Sequence, residues 1–181
     1  LSDLRQIKAS YMALQARLDA VLSENPKRVE PDLPASLNDI ETWAQAHLSG
    51  QVELHPKAIK SARGSDFKDV ALVCNALLMM RDLYVPMRRI GGIEHKNAFE
   101  QRLGELGLEN TPCFAQENKA KNFGGAYFVR YQDSTRELDW HLKGSNSRDE
   151  RLGFRLYYFW DTETGRVVVG HFPGHLKNDI T

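Results

Sequence analysis

The spacing of apolar residues changes once along the chain, near position 110, and that change constrains the fold more than any motif. Before it, apolar side chains recur every three or four residues, as on a helix face. After it they alternate every two, as on a strand. Helices followed by strands predict an α+β chain: a helical N-terminal half packed on a C-terminal antiparallel β-sheet. The strongest local signal lies in that sheet. Phe154–Trp160 and Arg166–Phe172 read as strands, and Asp161-Thr162-Glu163-Thr164-Gly165 between them reads as a hairpin turn. Ala126–Gln132 is a further strand. Thr135–Lys143 reads as one more, with Leu138, Trp140 and Leu142 on one face and Glu137, Asp139, His141 and Lys143 on the other.

In the helical half, Ser36 is placed to cap a helix whose buried stripe is Leu37, Ile40, Trp43, Ala44 and His47, and Gly50 ends it. Lys57 to Arg63 is a short basic stretch, either a helical turn or a loop. The longest helix runs from Asp66 to about Tyr84, capped by Ser65 and closed by Pro86, with Phe67, Val70, Ala71, Cys74, Leu77 and Leu78 on its broad apolar face. Glu94–Leu106 forms a last helix around Phe99, Leu103 and Leu106, and Gly107 follows it as a left-handed cap.

Residues 1–25 form an amphipathic helix. Leu4, Ile7, Tyr11, Leu14, Leu18 and Val21 recur with heptad spacing, with Leu1 in phase. Because the pattern begins in mid-heptad, the segment reads either as the end of a coiled coil from a longer protein or as one helix packing on its own domain. Residues 26–35 carry three prolines and read as a linker. The globular domain is then 36–181, helical over 36–108 and sheet over 109–181.

Composition narrows the function classes. The chain has 181 residues, 24 basic and 24 acidic side chains, two cysteines and no glycosylation sequon. A disulfide-stapled secreted fold and an electrostatically driven DNA-coating protein are both disfavoured. The apolar run around Val70–Met80 is too short to span a bilayer. No membrane is therefore expected, and a cytoplasmic location is. Phosphate-loop, dinucleotide-binding, nucleophile-elbow and His-Glu-x-x-His signatures are absent.

The residues that stand out are polar and lie on the late strands. His141 and Lys143 share one strand face. Arg155 and Tyr157 share a face with Phe159, while His171 alternates onto the face of Val167 and Val169, and His175 follows Pro173-Gly174. If the strands are neighbours, these side chains converge on one surface able to bind a phosphodiester and transfer protons without metal. Alternation alone also explains a polar strand face, as the solvated side of a sheet. A metal site at His141, His171 and His175 is a further reading, which Pro173-Gly174 disfavours because it removes the helical spacing such pairs use. Cys74 reads as a core residue and Cys113 as inert. Arg148 and Arg151, in the Gly144–Arg151 loop, are candidates for gripping nucleic acid with His141. Lys119 to Lys177 holds ten basic against seven acidic residues.

The order Leu142-Lys143, a polar loop, Phe154 to Phe159, an acidic turn, then Val167 to His171 resembles the late strands of RelE/HigB-like toxins over about forty residues. Those are small α+β proteins whose ribosome-dependent members cleave messenger RNA without metal. The resemblance implies that Arg155 contacts the phosphate, Lys143 stabilises charge, and His171 or His175 is the general acid/base, with Tyr157 orienting phosphate or base. The expectation is a nucleic-acid-processing or nucleic-acid-binding domain: a metal-independent, RelE-like ribonuclease of a toxin or defence protein, using no cofactor. RNA or DNA would be its partner. The alternative is a non-catalytic module, self-associating through the N-terminal helix and forming the C-terminal, protein-interaction domain of a larger protein.

Overall fold

A computed structural model describes residues 7, 10–13, 32–48, 50–114, 125–145, 147 and 149–176. The chain divides into two units, Leu1–Asp32 and Leu33–Thr181. In the first, residues 7 and 10–13 are helical. The heptad positions Leu4, Leu14, Leu18 and Val21 lie outside the described residues, as do most of the expected linker and Arg148.

The second unit has the expected α+β order. After a 3-10 turn at Leu37–Asp39, whose Asn38 N–H is capped by Ser36 Oγ, come α1 (Ile40–His47), β1 (Val52–Leu54) and α2 (Pro56–Arg63). Then follow α3 (Val70–Met79), a π-helical turn (Met80–Tyr84), α4 (Val85–Ile90) and α5 (Ile93–Glu105). The strands are β2 (Glu109–Pro112), β3 (Phe128–Tyr131), β4 (Ser134–Glu137), β5 (Trp140–Lys143), β6 (Arg155–Asp161) and β7 (Arg166–His171). Five of them form one sheet in the order β1-β7-β6-β5-β2, and β3 and β4 form a separate two-stranded sheet. All pairings are antiparallel except β1 with β7.

The five-stranded sheet is buried on both faces, by different partners. One face carries Leu142, Leu156, Tyr158, Val167 and Val169 against the helices, in a core that includes Ile40, Val73, Leu77 and Phe99. Tyr84, from the π turn, packs its ring against Phe99, Tyr158 and Trp160 at centroid distances of 5.3, 5.3 and 6.2 Å. On the other face Tyr157, Phe159 and Val168 meet Tyr127 and, from the small sheet, Val129 and Tyr131, with Leu138 and Leu176.

Four expectations need correction. Thr135–Lys143 is not one strand: it breaks at Leu138-Asp139 into β4 and β5, which belong to different sheets. Leu138 consequently packs with Tyr157, whereas Trp140 and Leu142 face the helices. The long helix begins at Val70, where Asp69 accepts the Leu72 N–H, and Ser65 instead caps a local turn at Phe67. Nor does Pro86 end that helix. Val85 donates to Met80 O, five residues back, and the wider turn accommodates a residue with no N–H to give. The helix therefore runs unbroken from Val70 to Ile90, long and apolar enough to cross a membrane by length and composition. Val73, Cys74, Ala76, Leu77 and Met80 on it are fully buried in the protein core. The fourth correction is β1, a three-residue strand inside the helical half, too short for alternation to reveal.

Elsewhere local chemistry behaves as read. Gly107 (φ 64°) closes α5, with its N–H on Gly104 O and the Leu108 N–H on Leu103 O, the paired bonds of a Schellman cap. The basic stretch Lys57 to Arg63 is helical, starting from Pro56 and capped by His55 Nδ1.

Candidate functional site

The site is organised by an irregularity between β6 and β7. Tyr158 is registered with Val169 but Tyr157 with His171, so Gly170 is an extra, unpaired residue in β7. Regular alternation would have put His171 with Val167 and Val169, facing the helices. The bulge turns it to the other face, beside Tyr157, at a ring-centroid distance of 5.9 Å. This overturns the face expected for His171 but strengthens the expected convergence. A Cβ at Gly170 would run into the Leu138 side chain, which a larger residue at the bulge would have to displace.

Tyr157 is the hub. His141 stacks on it at 5.3 Å and His175 lies edge-on at 6.3 Å. The tyrosine itself is 2% exposed, its oxygen accepting the Leu176 N–H and sharing a hydrogen bond with Tyr127. Burial pushes its phenol up. His141 and His171 are half-buried and His175 is exposed.

The turn carrying His175 is fixed from two sides. Ser61 Oγ donates to Phe172 O at 2.7 Å, and the Arg155 N–H donates to Pro173 O at 2.7 Å. The Phe172–Pro173 peptide is cis.

Electrostatics make two of the imidazoles poor proton acceptors in the free protein. His141 is lowered from 6.5 to about 4, first by burial, then by the charges of Arg155, His175 and Lys143. His171 is lowered to about 4, again by burial first, then by Lys57 and His175, with a hydrogen bond to the Gly174 backbone opposing. Both are neutral at pH 7, with cations around them. Arg155 is registered opposite Lys143 and donates to Phe154 O and Ser145 O. Lys143 lies 3.8 Å from the exposed Glu109 carboxylate, a weak pair.

His141, Tyr157, His171 and His175 are therefore brought together, with Lys143 and Arg155 along the same strand face. Arg151 is placed differently. Its guanidinium closes on Asp149 through two bonds of 3.0 and 2.8 Å, at the rim of a groove of about 390 Å³ that His171 and His175 also line. Among the described residues, no group of three His, Cys, Asp or Glu is placed to hold a metal ion.

Three neighbours, His55, Lys57 and Thr111, were not singled out from the sequence. Lys57 Nζ donates to Ala126 O and Phe128 O at 2.8 and 3.4 Å, and burial lowers its pKa. His55 holds the Lys57 N–H on Nδ1 and therefore offers Nε2–H to Arg130 O at 2.9 Å, tying α2 to the small sheet. Thr111 and Cys113 flank the two nitrogens of His141, each at 3.5 Å. The Cys113 thiol is pushed up to about 12 by burial and by Asp139 and Glu137, so it stays protonated beside a neutral imidazole. That agrees with an inert cysteine. These neighbours come from segments remote in sequence, and no local spacing announces them.

No family model, curated protein or solved structure matches the chain.

Proposed function

We infer that the Tyr157 face binds a nucleic-acid phosphodiester and, with RNA, cleaves it without a metal ion. The observation that carries this reading is the bulge at Gly170, which delivers His171 to the Tyr157 ring that His141 and His175 also contact, beside Arg155 and Lys143. A sheet face serving only to pack has no physical need for that arrangement. The likeness of the late strands to RelE/HigB-like toxins points the same way.

In this reading Arg155 binds the non-bridging oxygens of the phosphate, and Lys143 neutralises charge that develops on them. A neutral imidazole takes the proton from the ribose 2′-hydroxyl as its oxygen attacks phosphorus. The bond from phosphorus to the 5′-oxygen breaks, and a protonated imidazole gives that oxygen its proton. The products are a 2′,3′-cyclic phosphate and a 5′-hydroxyl. His171 and His175 are assigned the two proton-transfer roles. Tyr157, buried with its hydroxyl engaged, is a positioning residue that aligns the rings. His141, two residues from Lys143 on β5 and paired with Tyr157, contributes to binding.

The test uses labelled single-stranded RNA, single-stranded DNA and duplex DNA, in EDTA and across a salt series, with wild type and Arg155→Ala side by side and circular dichroism to confirm folding. EDTA-resistant RNA cleavage, lost in the variant, supports the reading. Salt-sensitive binding of all three without cleavage leaves a nucleic-acid-binding domain. Neither binding nor cleavage sinks the reading in favour of a protein-interaction module.

A further inference from the structure

Lys57 is a third cation beside the Tyr157 face, and its neighbours on α2 fix where it stands. Before it, the His55 N–H donates to Val169 O at 2.9 Å, and after it Ser61 Oγ donates to Phe172 O at 2.7 Å. Lys57 is thereby bracketed against the stretch of β7 that holds Gly170 and His171. Its ammonium donates to Ala126 O and Phe128 O, the carbonyls on either side of Tyr127, whose ring packs on Tyr157 at 5.8 Å. The Lys57 charge reaches His171 and helps to hold that imidazole neutral.

Two of the three ammonium donors go to neutral carbonyl oxygens, and among the described residues no carboxylate pairs with Lys57. Half-burying an ammonium without a counter-charge has a desolvation cost, which lowers its pKa. An anion on the third donor offsets that cost. Tying α2 to the small sheet does not by itself call for a charge, because His55 makes the same tie through Nε2 on Arg130 O.

The phosphate assigned to Arg155 and Lys143 does not extend this far. Lys143 is on β5 and His171 on β7, two strand spacings or about 10 Å apart, and α2 follows β1 on the far side of β7. One phosphate is too small to bridge Lys143 and Lys57. A polynucleotide crossing the strands instead brings its next phosphate to the lysine. We propose that Lys57 binds the phosphate adjacent to the scissile one, so that the substrate is an RNA strand with at least two consecutive phosphates. This rests on the phosphodiester reading above and adds the substrate's minimum length.

The test is binding of labelled RNAs blocked against cleavage by a 2′-O-methyl group at the scissile ribose. One is a dinucleotide with a single internal phosphate; two are trinucleotides that add a second phosphate on its 5′ or 3′ side. In wild type one trinucleotide is expected to bind about tenfold more tightly than the dinucleotide, the worth of one charge-assisted hydrogen bond at an accessible site. Its salt slope should be steeper by about 0.7, the increment for one single-strand phosphate contact. A neutral methylphosphonate in place of the second phosphate removes both gains. Lys57→Gln keeps a donor for the carbonyls and loses the charge; with folding confirmed by circular dichroism, its trinucleotide-to-dinucleotide ratio falls to within about twofold. The ratio cancels any effect of the variant through His171, which acts on both RNAs alike. Lys57→Arg keeps the charge and retains most of the preference. The proposal is overturned by equal binding of all three RNAs in wild type, by a preference that survives the methylphosphonate, or by one that survives in Lys57→Gln. Absence of binding to any of these RNAs overturns the phosphodiester reading itself, so the two failures are distinguishable.

Discussion

The two faces of the central sheet are built from the same strands but obey different rules. Toward the helices, Leu142, Leu156, Tyr158, Val167 and Val169 meet apolar side chains, and Tyr158, the polar exception, donates to Asn110 Oδ1 at 2.7 Å. Toward the small sheet, the apolar set of Phe159, Val168 and Leu138 gives way at one end to three histidines, an arginine and a lysine. The first face is explained by burial alone. The second keeps ionisable groups half-buried, lowering the pKa values of two histidines to about 4 where solvation would hold them near 6.5. The contrast teaches that apolar packing and ionisable groups are divided between the faces, with Gly170 at the boundary.

Substitutions that separate the faces make this comparison sharp. The largest effect belongs to the helix side. Phe154, fully buried and packed on Phe67 at 5.8 Å, should cost about 3–5 kcal/mol when changed to alanine, read by urea denaturation. Next comes Arg155→Ala, expected to lose about a hundred- to a thousandfold in cleavage with little change in stability. Equal loss of folding would make Arg155 structural and erase the division. Gly170→Ala should act on both sides at once: the added methyl drives into Leu138, lowering stability and displacing His171. A variant that folds and cleaves like wild type would show the bulge to be incidental.

The helical half was legible because its signals are local. Apolar spacing, caps and Gly107 placed α1 and α5 nearly correctly, and the Asp161–Gly165 turn fixed the β6–β7 hairpin. Where the outcome depended on distant partners, reading along the chain failed. Leu138 looks like any alternating residue, yet its pairing with the small sheet redirects it. Pro86 looks like a stop until a π turn absorbs it. At the site, the residue types were legible, but the bulge that gathers them lies against Leu138, thirty-odd positions away, and follows from no pattern within β7. Lys57 and His55 were invisible as neighbours for the same reason.

A smaller effect concerns stability against pH. Since His141 and His171 bind protons less readily folded than unfolded, stability should be full above pH 6.5 and fall as pH drops toward 4. His171→Gln should flatten part of that slope in thermal melts at a series of pH values. An unchanged slope would mean that burial does not hold this imidazole neutral.

The central claim is that the Tyr157 face is an anion site built from depressed imidazoles and the cations Arg155 and Lys143. The most direct measurement is an NMR titration of the histidine rings with and without a short single-stranded RNA. Alone, His141 and His171 should titrate near 4. A phosphate beside them favours the imidazolium, so RNA should move both upward, and affinity should rise as pH falls through the shifted range toward 4. Both rings titrating unchanged at saturating RNA, or no RNA binding at all, would contradict the account.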